Sequence, residues 1–419
     1  MIDNPKMEKK MKKLLTLLTI IFFLFSACTE DCPVETNNVD LQGDLQTMLD
    51  DEYTTYIANN PDFIGGIALQ VKSRNSNYFV SKGMGDNITN QVHFRAASNT
   101  KTFTSAGILL LHQRGLLNVK SFITDVIPGT SELFIPDLPE FNIPYKNEIT
   151  IWQLLSHRAG VFDVTNTPIP TTVSADVPYK GKIYLEHVME TEPNHTFTFD
   201  ELVGVVATCE LSYFTPGSDY HYSNQGYSLL GKIIERVSGK TYKQFMIDEF
   251  VNPLGLTETT FPDKGDDQIM PTPFVKGYIQ AGELGIIDVT ESNMSGNVAE
   301  GNLLTTPDDL SKFIQLLLKG DGGLNLNTIN NTMMDCRATG DVGAGGYGAG
   351  LMLWNNMGYG HNGAHEGFMS YMVGDPENDL AIVLFTNSWN FNEGFTSFVP
   401  QLHLLEQMCR QVKSIALHE

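Results

Sequence analysis

A chain of 419 residues, 42% hydrophobic and 18% charged, has an ordinary globular composition and excludes a disordered or coiled-coil protein. The length allows two or three domains or one two-lobed unit. A formal net charge of −22 repels nucleic acid and anionic lipid, so no nucleic-acid partner is expected.

The chain opens with a basic run, Lys6, Lys9, Lys10, Lys12 and Lys13, and an uncharged stretch over 14–25 made of Leu, Ile, Phe and Thr. That stretch is shorter than the roughly 20 apolar residues a spanning helix needs. Residues 1–27 therefore read as an export signal. Ser26-Ala27-Cys28 is followed by the polar run Thr29-Glu30-Asp31. Small residues directly before a cysteine resemble the lipobox of bacterial lipoproteins, although Phe25 stands where Leu is more usual. The resemblance implies lipidation of Cys28 and a cell-envelope location, with a lipid anchor on the periplasmic or surface side. The alternative is cleavage near Ala27 and secretion, with Cys28 and Cys32 as thiols or a local pair. Removal of residues 1–27 leaves 22 basic and 47 acidic residues, a net charge of −25. Cys209, Cys336 and Cys409 are widely spaced, which implies neither a disulfide framework nor a metal site. No cofactor is expected.

After a tether over 28–40, residues 41–58 read as an amphipathic helix. Ile67–Lys72 alternates as a strand, the polar turn 74–77 follows, and 78–82 returns as the second strand of a hairpin. Near the other end, 368–374 and Leu380–Thr386 are strand-like around the turn Asp375-Pro376-Glu377-Asn378, and 395–412 closes the chain as a helix. The ends thus supply an antiparallel sheet flanked by helices, and the middle is mainly helical. This is an α/β chain of the α+β type, with a sheet lobe over about 41–125 and 335–412 and a helical lobe over about 126–334. Residues 164–198, rich in Pro, Thr and Asn, read as a lid or insertion or as a passive surface excursion.

Three constellations carry chemistry. Ser98-Asn99-Thr100-Lys101 precedes an apolar helical pattern through Phe103, Ala106, Ile108, Leu109 and Leu111. It places Ser98 at a helix start, where free N–H groups favour negative charge. Lys101 follows one turn later on the same face. A serine hydroxyl becomes a nucleophile when a nearby base takes its proton, and a desolvated amine can serve. By itself Ser-x-x-Lys also describes a capped helix followed by a solvated lysine. Tyr222-Ser223-Asn224 stands at the turn before a second helix. Its phenol can shuttle a proton and its amide can bond both a lysine and a substrate carbonyl, though an aromatic loop packed on a core has the same appearance. His361-Asn362-Gly363-Ala364, read as lying just before or at the start of the strand near Phe368 and as sheet edge, puts an imidazole beside a cleft. It leaves bare backbone at Gly363 for a substrate, and the N–H groups of Ala364 and Ser98 could form an oxyanion hole. His365 and Glu366 are neighbours with no suitably spaced second metal ligand.

Taken together and in this order, the three motifs resemble the serine β-lactamase and penicillin-binding protein superfamily. The Tyr-x-Asn form is similar to its class C β-lactamase-like branch, which also holds D,D-carboxypeptidases, D-amino-acid peptidases and carboxylesterases. The segments 149–160, 253–256, 301–310 and 347–351 look like further landmarks, so the resemblance spans residues 45–412. It implies a β-lactamase/transpeptidase-like fold and an acyl-enzyme on Ser98, with Lys101 and Tyr222 moving the proton. It further implies substrate contacts from Asn224, His361, Asn362, Gly363 and Ala364. His361 stands where lysine is usual in β-lactamases, and Asn362 where threonine is common. That pattern is similar to D,D-peptidases and points to a D-alanyl-D-alanine carboxypeptidase or related D-amino-acid peptidase acting on small peptides, including peptidoglycan stem peptides. A carboxylesterase or weak β-lactamase with the same mechanism is the alternative reading, and a penicillin-binding sensor without turnover a third.

Overall fold

The structure, a computed structural model, describes residues 40–340 and 345–417. The expected export signal, Cys28 and all but the last residue of the tether lie outside the described residues.

Helix α1 (Leu41–Asn59) buries Leu41, Leu45 and Leu49, one residue per turn. The hairpin β1 (Ile67–Lys72) and β2 (Asn77–Lys82) follows, then a short strand β3 (Phe94–Ala97) and the long helix α2 (Thr100–Gln113). Farther on stand helix α3 (Asn224–Ser238), strand β4 (Leu303–Thr305) and helix α4 (Pro307–Lys319). The end of the chain supplies β5 (Gly346–Tyr347), β6 (Met352–Trp354), β7 (Gly358–His365), β8 (Phe368–Asp375), β9 (Leu380–Thr386) and helix α5 (Phe395–Ala416).

Seven strands pair antiparallel in the order β2-β1-β9-β8-β7-β6-β5. The first and last thirds of the chain meet where Ile67 lies opposite Thr386 and Lys72 opposite Ala381. The expected antiparallel sheet flanked by terminal helices is present. Strand geometry sends alternate side chains to opposite faces, and both faces are covered. Ile67, Leu69, Val71, Ile382 and Leu384 pack with Leu45 of α1 and Leu405, Met408 and Val412 of α5. Ala68, Ala381, Val383 and Phe385 join the larger core with α2, α3 and α4. Two-sided burial explains why β9 reads as an unbroken apolar run.

Helix α2 is the centre of the molecule, and every residue from Thr100 to Leu111 is buried. Its polar side chains are satisfied internally: Thr102 donates to the Gly350 carbonyl at 2.8 Å and Thr104 to the Ala299 carbonyl at 2.6 Å. Residues 164–198 form a packed excursion. The Ile169 N–H bonds the Lys182 carbonyl, Leu185 is buried against Phe197 and Leu202, and the segment begins at a bond from the Val164 N–H to Gln225 in α3. The chain between β7 and β8 corrects the sequence expectation. The His361 segment belongs to its own eight-residue strand, β7, and a tight turn separates it from Phe368.

Candidate active site

Ser98 sits in the turn between β3 and α2, one residue before the Asn99 that caps the helix. The preceding Ala97 has φ +51°. For a residue with a Cβ that left-handed conformation costs about 1–2 kcal/mol, and the surroundings hold it. Asn99 Nδ2 donates to the Ala96 carbonyl at 2.7 Å and to Ser370 Oγ at 2.8 Å. Thr100 Oγ1 donates to the Ala97 carbonyl at 2.7 Å and accepts from the Leu303 N–H at 2.9 Å. The turn is therefore clamped to β8 on one side and β4 on the other. Ser98, half-buried among buried neighbours, projects from it.

Lys101 and Tyr222 converge on Ser98. Lys101 Nζ lies 3.2 Å from Ser98 Oγ and 4.7 Å from the centre of the Tyr222 ring. Tyr222 faces Ser98 from the turn before α3, within electrostatic reach of its hydroxyl. Burial pushes the Tyr222 phenol well above its ordinary range, against a smaller opposite pull from Ser98. The phenol is therefore protonated at rest, as burial disfavours its anion.

Sequence reading missed the partner of Lys101. Glu300, in the loop before β4, accepts from Nζ through its backbone carbonyl at 2.7 Å and through Oε2 at 3.2 Å. The two side chains are 0% and 3% exposed. Burial lowers the lysine and raises the carboxyl, and each charge opposes that trend in the other.

Asn224 is buried at the first position of α3, but its amide nitrogen donates to Thr165 Oγ1 at 2.9 Å rather than to substrate space. Its backbone N–H donates to Asp163 Oδ2 at 3.2 Å. Asp163 also accepts from the N–H groups of Thr165 and Asn166, which ties the Tyr222 turn to the start of the 164–198 segment. His157, unrecognised as a site residue in sequence, supports the same turn. Its φ is +57°, its Nδ1 accepts from the Ser223 N–H at 3.1 Å, and its ring lies 4.3 Å from Tyr222 and 4.7 Å from Tyr347.

His361 is 1% exposed. Nδ1 donates to the Asn362 carbonyl at 2.5 Å and Nε2 accepts from the Tyr347 hydroxyl at 2.9 Å. Burial, and secondarily Lys101, push its pKa down to about 3. Both ring nitrogens are thus engaged by a neutral imidazole. Unfolded histidine titrates near 6.5, so below that pH the unfolded chain binds a proton that the folded chain refuses. The stability from His361 is complete above about pH 6.5 and falls by about 1.4 kcal/mol per pH unit below it. Between pH 7 and 5 the unfolding free energy in urea should drop by about 2 kcal/mol from this group. His361→Gln should reduce that dependence by the His361 share alone, because burial also holds His157 and His365 below the ordinary histidine range; an undiminished slope in the variant would assign it elsewhere.

Two strand residues take different places from those expected. Asn362, on the opposite face of β7 from His361, lies opposite Tyr371 of β8, which packs with the terminal helices. Strand alternation forbids it from joining His361 at the cleft, so its side chain is not a substrate contact. Gly363 is required by the nucleophile strand. A Cβ there would stand 2.3 Å from the Ala96 carbonyl oxygen and 3.1 Å from Ala97 Cβ. Gly363 thus lies against the strand that leads into Ser98, and Ala364, the next residue of β7, is exposed. Strand β6 pairs with Gly358 to Gly360, so among the described residues no strand pairs with that edge of β7 from His361 onward.

The Beta-lactamase family model matches residues 57–398. Among solved structures, D-amino acid amidase from Ochrobactrum anthropi SV3, complexed with L-phenylalanine amide, is 25% identical with a TM-score of 0.70, over 90% of this chain and 99% of that one. The D-stereospecific amidohydrolase from Streptomyces sp. shares the fold at 24% identity and a TM-score of 0.67, covering 83% of this chain and 94% of that one. Protein flp of Staphylococcus aureus is 24% identical over 328 residues, 75% of this chain. The match spans only 58% of that curated relative's length. With its family model covering the sheet, the Ser98 turn and the Tyr222 turn alike, the chain belongs to the Beta-lactamase family.

Proposed function

We propose that this protein is a serine hydrolase that forms an acyl-enzyme on Ser98 and cleaves amides of D-amino acids. The convergence of Lys101 Nζ, at 3.2 Å, and Tyr222 on Ser98 Oγ carries the reading. In the proposed cycle Ser98 Oγ attacks the carbonyl carbon. Its proton passes to Tyr222 while the tyrosine's own proton passes to the leaving nitrogen, so the phenol begins and ends neutral. The Lys101 ammonium, 3.2 Å from Ser98 Oγ and 4.7 Å from the centre of the Tyr222 ring, offsets the negative charge that develops. A water then attacks the ester, its proton returning through Tyr222 to Ser98. The N–H groups of Ser98 and Ala364 would hold the oxyanion.

Substrate preference follows from His361. A D,D-carboxypeptidase substrate ends in a free carboxylate beside the scissile bond and calls for a cation there. His361 is neutral with both nitrogens engaged, and a net charge of −25 after residues 1–27 gives an anion no general attraction. Amides with an uncharged leaving group suit this site better, and the likeness to D-amino acid amidase agrees. The purified chain should be assayed with D-phenylalanine amide, L-phenylalanine amide, a D-Ala-D-Ala-terminated peptide and a short acyl ester. The D-amide is expected to exceed the L-amide and the peptide by about tenfold or more in kcat/KM. Cleavage of the ester alone would favour a carboxylesterase, and a preference for the D,D-peptide would contradict the amide assignment.

A further inference from the structure

An ammonium alone in a fully buried position would shed its proton, because burial penalises the charged form. The surroundings of Lys101 oppose this. An ammonium has three donors and no lone pair, and Nζ meets three acceptors: the Glu300 carbonyl at 2.7 Å, Glu300 Oε2 at 3.2 Å and Ser98 Oγ at 3.2 Å. Glu300 is aimed by the same helix that carries the lysine. The adjacent Ala299, at φ +69°, receives the Thr104 hydroxyl of α2 on its carbonyl at 2.6 Å. The second carboxylate oxygen of Glu300 accepts from Asn297 Nδ2 at 2.7 Å.

Other groups face this pair from each packed element. Tyr222 comes from the turn before α3, Tyr227 from α3 at 5.5 Å from Nζ to ring centre, Tyr242 from the helix Tyr242–Met246, Asp163 and His157 from the loop after Ile151–Leu155, and His361 from β7. The tyrosines are phenols and the histidines neutral imidazoles, all for reasons of burial. Asp163 is engaged by Thr165, Asn166 and Asn224. Glu300 is thus the carboxylate in contact with Lys101.

We infer that Glu300 is a positioning residue whose carboxylate holds Lys101 as an ammonium in the resting site and thereby sets the alkaline limit of activity. The consequence for activity rests on the hydrolase function proposed above; the charge of Lys101 does not. The anion favours the protonated lysine, so its removal must lower the pH at which Lys101 loses its proton.

The full chain labelled with [ε-¹³C]lysine tests this. The Lys101 Cε resonance, identified by its loss in Lys101→Arg, is followed from about pH 5 to 11 in the wild type, Glu300→Gln and Glu300→Asp. The wild type should be an ammonium at about pH 7, and Glu300→Gln should lose the proton at least about one pH unit below the wild type, a tenfold change in proton affinity. Glu300→Asp, which keeps the charge, should stay near the wild type. The alkaline limb of kcat/KM for D-phenylalanine amide should move down with the Glu300→Gln resonance, with KM changed less than about twofold. A neutral amine in the wild type at pH 7 overturns the inference without any variant having to fold. So do identical titrations in wild type and Glu300→Gln, or an acid limb that moves down with activity gained, which is how a neutral lysine base would behave. If no substrate is turned over, the proposed function fails while the lysine titration is still read.

Discussion

Lys101→Met should be among the most damaging single substitutions in the molecule, lowering stability by about 3–5 kcal/mol as well as abolishing turnover. Methionine fills the space of the lysine stem, so packing is not the main loss. The damage comes from Glu300, whose side chain is 3% exposed and whose Oε2 would be left without its cation. An uncompensated buried charge is far costlier than the absence of the pair. The carboxyl must then take up a proton, and the penalty should shrink as pH falls through the raised carboxyl range. The double variant Lys101→Met, Glu300→Gln should therefore recover most of the stability, because a neutral pair replaces an ion pair at small cost. It should recover no activity. Urea unfolding of the two singles and the double checks the coupling. Additive losses would mean that Lys101 and Glu300 are not the energetic unit that their 3.2 Å contact implies.

Ser98→Ala should have the opposite profile, with activity reduced by about 10³-fold or more and stability changed by less than about 1 kcal/mol. The hydroxyl is half-buried and water can replace it toward Lys101 and Tyr222. The backbone that presents it is held by Asn99, Thr100 and Ser370, none of which bonds the Ser98 side chain. A matched measurement of kcat and of the urea midpoint separates the two effects. A variant that unfolds readily would assign Ser98 a structural part that its contacts do not show.

The sequence made the outer frame of the fold legible and left its inner strands hidden. Ile67–Lys72 and Leu380–Thr386 agree with the observed β1 and β9 because sheet burial leaves an apolar signature. Strand β7 carried no such mark. Its Gly358, Gly360 and Gly363 look like loop residues, yet a Cβ at each would come within 2.5 Å of a carbonyl of Gly374, Met372 or Ala96. Those glycines permit close backbone approach rather than a turn. The reacting trio was legible because Ser98, Lys101 and Tyr222 lie in local motifs with a fixed order. Glu300 was not, since one acidic residue in Val298-Ala299-Glu300-Gly301 has no periodicity to mark it, and only the tertiary fold brings it to Lys101. Asn362 was misplaced for a reason that alternation alone supplies. His361 and Asn362 are adjacent residues of a strand, so they cannot both face the cleft.

The central claim is that Ser98 is acylated in turnover. The most direct measurement is mass spectrometry of the chain quenched in acid during hydrolysis of a D-amino-acid amide or a short acyl ester, followed by peptide mapping. The account predicts an adduct with the mass of the acyl group on the peptide that contains Ser98, absent from Ser98→Ala. Turnover without any adduct on Ser98, or with activity intact in Ser98→Ala, would contradict it.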